Sequence, residues 1–181
     1  MRIIGGTLRG KTIVPPARFR ARPTTDFAKE SLFNILENRY DFSAARVLDL
    51  FAGTGGISYE FASRGCPHME AVEMNTLHAA FIKKTAGAFK LPQIHVVKLN
   101  VFDFLEICTA GYDLIFADPP YNLEGIASLP GRIMEKNILR EKGCLIVEHA
   151  AGYDFSAHPG FAERRSYGAV NFSFFTPAGA K

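Results

Sequence analysis

From residue 46 onward, short apolar runs alternate regularly with helix-patterned segments, and this alternation leaves few folds open to the chain. "RVLDLFA", "HMEAVE", "IHVVKL", "YDLIFA" and "CLIVEH" are apolar at successive positions, as expected of strands covered on both faces. Helical patterns lie between them over residues 59–64, 76–89 and 126–139, with a shorter one in "VFDFLEI". A buried strand followed by a crossover helix, repeated, predicts a doubly wound α/β sheet. The end of the chain breaks the rhythm: "FAERRSYG" and "AVNFSFFTP" have no helix between them and predict a closing antiparallel hairpin.

The N-terminal region has a different character. "RIIGGTLRGKTIV" predicts a small hairpin or extended arm, and "PPARFRARP" a stiff cationic connector. In "TTDFAKESLFNIL", Ala28, Leu32, Ile35 and Leu36 recur at helical spacing. The expected organisation is a basic arm over residues 1–23 and one compact domain over 24–181. Of the 21 cationic residues, Arg2, Arg9, Lys11, Arg18, Arg20 and Arg22 all precede the first of the 18 acidic ones, Asp26. A basic arm on a mildly acidic body suits a polyanionic partner, most simply nucleic acid, although a solvated tail would have the same charge.

Composition narrows the classes further. Cys66, Cys108 and Cys144 are widely separated and odd in number, and His68, His78, His95 and His158 have no ligand spacing. Neither a disulfide framework nor a metal site is expected. No apolar run is long enough to span a bilayer, and "MRIIGGTLRGK" lacks the apolar core of a secretory signal. The expectation is a soluble, cytoplasmic protein with no membrane partner, and a monomer by default.

In a doubly wound sheet, ligands bind beyond the carboxyl ends of the strands. The residues there are "LDLFAGTGG" after the first strand, Glu73 after the second, Asn100 after the third and "DPPY" after the fourth. Gly53, Gly55 and Gly56 permit a tight turn and close approach of a ligand. A glycine turn with an acid about 20 residues on also fits a dinucleotide site. However, Ser58 stands at the third glycine position of that fingerprint, and Asp49 puts a carboxylate where a diphosphate would lie. A nucleoside carrying an ammonium and a sulfonium fits better, with Glu73 suited to its ribose hydroxyls.

"DPPY" suggests the chemistry. The lone pair of an exocyclic nucleobase amine is delocalised into the ring, so an enzyme must draw the nitrogen towards tetrahedral geometry. Two acceptors against its two N–H groups would do so: the carboxylate of Asp118 and a carbonyl of the proline pair, most simply that of Pro119. Pro119 and Pro120 bring no competing amide donors, and Tyr121 can stack on the base. A plain turn after a strand is the competing structural reading.

"VLDLFAGTG", "VE", "DPPY", "VEH", the N-terminal "MRIIGGTLRGK" and "RPTTD...ESLFN" together resemble the RsmD-like family of bacterial 16S ribosomal RNA guanine-N2 methyltransferases. The resemblance runs from residue 1 to "RRSYG". It implies S-adenosylmethionine as methyl donor and a Rossmann-like class I methyltransferase sheet of seven strands, mostly parallel with an antiparallel last strand. It also implies that Asp49, Phe51, Ala52, Gly53 and Gly55 hold the methionine end of the cofactor. Glu73 with Met74 would hold the ribose, Asn100 and Val101 would flank the adenine, and Asp118, Pro119, Pro120 and Tyr121 would hold the target guanine. Asn100 stands where the family more often has aspartate, so weaker but intact adenine binding is expected. Arg9, Lys11, Arg18, Arg20 and Arg22 are the candidate contacts to ribosomal RNA or the small subunit. The competing functions are a DNA adenine-N6 methyltransferase, for which the chain has little room for a sequence-reading region, and a non-catalytic RNA-binding assembly factor, which would not need "DPPY".

Overall fold

Strand β1 (Arg46–Asp49) lies in the interior of the sheet, with Val47 and Leu48 buried on its opposite faces. It pairs in parallel with β2 (His68–Val72) on one edge and β4 (Tyr112–Ala117) on the other. Outside these lie β3 (Ile94–Val97) and β5 (Leu139–His149), again parallel. Beyond β5, β7 (Val170–Phe175) runs antiparallel, and β6 (Phe161–Tyr167) closes the edge antiparallel to β7. The order is β3-β2-β1-β4-β5-β7-β6. This computed structural model describes residues 1–17, 19, 25–120 and 123–177.

Because successive strand side chains point to opposite faces, the sheet carries two cores. Val47, Leu114, Phe116, Ile146, Phe172 and Phe174 face a core completed by α1 (Asp26–Glu37), α2 (Gly56–Ser63) and α3 (Thr76–Ala88). Leu48, Ile115, Leu145, Val147 and Phe175 face a second, completed by α4 (Val101–Ile107) and α5 (Leu129–Glu135). Phe172, Phe174 and Phe175 are thus packing residues, each contributing about 1.5–3 kcal/mol of burial. Cys66 and Cys144 are also buried. Among the described residues no helix is long and apolar enough to cross a membrane.

Two segments differ from the pattern in the sequence. The helix expected over residues 126–139 is shorter: a 3-10 turn at Ile126–Ser128 leads into α5, which ends at Glu135. Asn137 then takes a left-handed φ of 52°, which asparagine tolerates and a continuing helix cannot accommodate, and β5 begins at Leu139. In the N-terminal segment the described residues form a single antiparallel bridge, Arg2 to Thr12, around a 3-10 turn at Gly6–Leu8.

That segment is held against α2. Ile3 and Ile13 are buried in the first core, and the amides of Ile4 and Gly5 donate to the Glu60 carboxylate at 2.9 and 2.7 Å. Gly6, at φ +72°, lies so close to the Ser63 carbonyl that a Cβ would fall 1.9 Å from its oxygen, so only glycine fits. Glu60 is completely buried and also pairs with Lys29 of α1 at 3.5 Å and with Arg64 at 2.8 Å. One carboxylate therefore ties the N-terminal segment, α1 and α2 together.

Candidate active site

A cavity of about 850 Å³ opens beyond the carboxyl ends of the central strands. Four carboxylates line it: Asp49 at the end of β1, Glu73 after β2, Asp118 after β4 and Glu148 in β5. Each sits where a parallel strand gives way to its crossover or nears its end, which is why residues far apart in sequence meet here.

The turn after β1 is built on backbone conformations that favour glycine. Gly55 caps α2 at φ 85°, and a Cβ there would lie 2.8 Å from the Tyr59 ring. Gly53, at φ 55°, donates its amide to Glu73 Oε2 at 2.8 Å, which fixes the turn against the end of β2. Glu73 Oε1 accepts from the Asn75 amide at 2.7 Å and has His78 Nδ1 4.0 Å away.

Asp49 is only 1% exposed. Its Oδ2 accepts from the Ser58 hydroxyl at 2.8 Å, while Oδ1 is buried with no hydrogen-bond partner among the described residues. Burial pushes this carboxyl up to about 7; the Ser58 hydrogen bond opposes the rise and the Glu73 charge adds to it. Asp118 is also held well above the usual carboxylate range, by burial first and then by the charges of Glu148 and Asp49. An array of carboxylates in this condition favours a cationic guest, which would relieve both the repulsion and the orphaned oxygen.

The other residues predicted from sequence fall as follows. Phe51, Ala52, Gly53, Met74, Asn100, Val101, Pro119 and Pro120 line the cavity with the four acids, whereas Gly55 acts behind it as the cap of α2. Asn100 caps α4, its Oδ1 accepting from the Phe102 amide at 2.8 Å. The Pro120 carbonyl accepts from the Leu123 amide at 2.8 Å, which closes the turn after β4. Arg9 and Lys11 are exposed on the N-terminal segment, whose first residue, Met1, lines the cavity. Tyr121, Arg18, Arg20 and Arg22 lie outside the described residues.

Ser58, Glu148, Lys29, Thr25 and His78 also lie at or beside the site. Ser58, at the third glycine position of a dinucleotide turn, orients Asp49. Glu148 and His149, adjacent in the chain, serve different surroundings. Glu148 lines the cavity, whereas His149 shares hydrogen bonds with Ser173 Oγ and the Ala150 carbonyl, both at 2.8 Å. Burial lowers the His149 pKa, which favours a neutral structural imidazole. Lys29, Thr25 and His78 also line the cavity. A signal for Lys29 was available: it stands one turn before Phe33 on the apolar stripe of α1, where an ordinary surface lysine would not be found.

The strand order, the antiparallel last strand and the cavity over the strand ends define a Rossmann-like methyltransferase. The chain belongs to the RsmD-like family: the family profile described as conserved hypothetical protein 95 matches residues 1–176. It is 32% identical over 137 residues to the Escherichia coli (strain K12) ribosomal RNA small subunit methyltransferase D, covering 76% of this chain and 68% of that one. With Bacillus subtilis YlbH it shares 30% identity over 186 residues, 99% of this chain and 100% of its relative. Among solved structures, the Thermus thermophilus protein TTHA0928 superposes with a TM-score of 0.86 at 29% identity, covering 97% of this chain and 99% of that one. The Escherichia coli protein yhhF gives 0.85 at 27%, with 98% of each chain covered.

Proposed function

We propose that the protein transfers a methyl group from S-adenosylmethionine to the exocyclic N2 of a guanine in small-subunit ribosomal RNA. The observation that carries this reading is the meeting of Asp49, Glu73 and Asp118 in one cavity, with Asp49 Oδ1 buried and unpartnered among the described residues. Relatives named ribosomal RNA small subunit methyltransferase D support the substrate.

The residues fit the cofactor. Asp49, kept in place by Ser58, would take its ammonium on Oδ1, with Phe51, Ala52 and Gly53 against the methionine portion. Glu73 would hold the ribose hydroxyls, and Met74, Asn100 and Val101 the adenine. Because Asn100 Oδ1 already caps α4, only its second lone pair is left for an adenine amine. When bound, S-adenosylmethionine supplies an electrophilic methyl carbon on a sulfonium.

Asp118 accepts one hydrogen bond from the guanine amine. The Pro119 carbonyl accepts the other, since that of Pro120 is engaged with Leu123. Two acceptors on one amine draw the nitrogen lone pair out of the ring, and Tyr121 keeps the base in line by stacking. The raised pKa of Asp118 suits its carboxylate to receive the proton that N2 gives up. Arg9 and Lys11, with Arg18, Arg20 and Arg22, contact phosphates of the RNA or small subunit. The enzyme acts as a cytoplasmic monomer.

The test is incubation of the protein with labelled S-adenosylmethionine and unmodified small-subunit RNA or subunits, followed by mass spectrometry of the nucleosides. N2-methylguanosine is the expected product. Label confined to N6 of adenine in added DNA would replace this reading by the DNA methyltransferase one.

A further inference from the structure

Asp118 and the Pro119 carbonyl accept from an amine, and adenine offers an amine at N6 just as guanine does at N2. Acceptors alone therefore leave the choice of base undecided. What separates the two purines is O6 of guanine, an acceptor where adenine carries a donor, so selection of guanine calls for a donor on the far side of the base.

Among the described residues lining the cavity, Lys29 is the only lysine or arginine. It is 2% exposed and lies at the start of α1, near Thr25, which also lines the cavity. An ammonium has three N–H donors. Here Glu60 Oε2 is 3.5 Å away and the Arg2 carbonyl accepts another N–H, which leaves donor capacity at a buried group bordering the cavity. Neutralising Glu60 would not require this position, because Arg64 already pairs with Glu60 at 2.8 Å and the Ile4 and Gly5 amides donate to it.

We infer that Lys29 donates to O6 of the target guanine and so selects guanine over adenine, an inference that rests on the methyl-transfer reading above. A donor so placed adds little for a substrate without O6, because the N–H left over from Glu60 and the Arg2 carbonyl would then find no acceptor on the base.

The experiment crosses enzyme variants with substrates. Small-subunit RNA carries either guanine or 2-aminopurine at the position that the wild-type enzyme modifies. 2-Aminopurine keeps the amine at C2 but has neither O6 nor the N1 proton. Single-turnover rates are measured for wild type, Lys29→Met, Glu60→Gln and the double variant Lys29→Met/Glu60→Gln, which leaves no unpaired buried charge if Lys29→Met alone does not fold. Wild type is expected to favour guanine by about 10- to 100-fold, and loss of the N1 proton affects all variants alike.

Lys29→Met, alone or in the double variant, should reduce that preference by about 10-fold or more, while Glu60→Gln should keep it. A purely structural lysine would lower both rates by one factor and leave their ratio unchanged, and that result would overturn the inference. So would a wild-type enzyme indifferent to the two bases, or a Glu60→Gln variant that lost the preference as fully as Lys29→Met. A wild-type enzyme that failed to methylate guanine-bearing RNA at all would instead bring down the functional reading on which the inference stands.

Discussion

Replacing Asp49 with asparagine should make the free protein more stable at pH 8 while weakening its hold on the cofactor. The carboxyl rises from an ordinary 3.8 to about 7, chiefly because it is buried. That rise corresponds to about 4 kcal/mol favouring the protonated form in the folded state. The sign follows from linkage. Folding is helped by this group in full below pH 4, and the help is lost as pH climbs through 7, where the folded protein must carry a buried charge. Asparagine keeps an oxygen for the Ser58 hydroxyl and never ionises. At pH 8 the variant should therefore exceed wild type by up to about 4 kcal/mol, or up to about 8–16 °C in Tm for a chain of this size. The difference should vanish near pH 4. Cofactor affinity should move the opposite way: in wild type it should fall as pH drops below 7, by up to about tenfold per unit, because an ammonium needs the ionised carboxylate. Asparagine should remove that dependence and weaken binding at pH 8. Urea denaturation from pH 4 to 8, with calorimetric titration of S-adenosylmethionine, measures both. Parallel stability profiles for the two proteins, or an asparagine variant less stable at pH 8, would refute the argument.

Further outcomes follow from the proposed function. If the Asp118 carboxylate acts on the reacting amine as proposed, Asp118→Ala should lower the single-turnover rate by about 100-fold or more with little change in cofactor affinity, and Asp118→Asn should be milder. Tyr121→Phe should stay active and Tyr121→Ala should not, since stacking needs only the ring; the same single-turnover assay compares them. Neutralising Arg9, Lys11, Arg18 and Arg20 should weaken RNA binding and flatten its salt dependence by about 0.7–0.9 in slope for each phosphate no longer neutralised; filter binding across a salt series would detect it. Glu60→Ala should cost about 3–5 kcal/mol in urea denaturation, since it strands buried Lys29 and two backbone amides of the N-terminal segment. A loss below about 1 kcal/mol would mean that the segment is held by Ile3 and Ile13 alone.

The sequence by itself determined the layers and the chemical ends of the strands. Runs such as "YDLIFA" are apolar on both faces, so burial on two sides is written in them, and the residue that follows each run must emerge at the ligand edge. Asp49, Glu73, Asn100 and Asp118 were legible for that reason. Tertiary structure alone decided which groups share the cavity from other elements. Ser58 reaches Asp49 because the tight turn at Gly55 folds α2 back over β1, and Glu148 enters because β5 lies beside β4, a pairing that no local spacing encodes. The same holds for the basic N-terminal segment. Its charges suggested an arm, but Glu60, a residue of α2 read only as part of a helix, accepts its amides and ties it to α1. Periodicity records which face of an element is buried. It carries no information on which distant polar group satisfies a buried donor, because that depends on how separately formed elements pack.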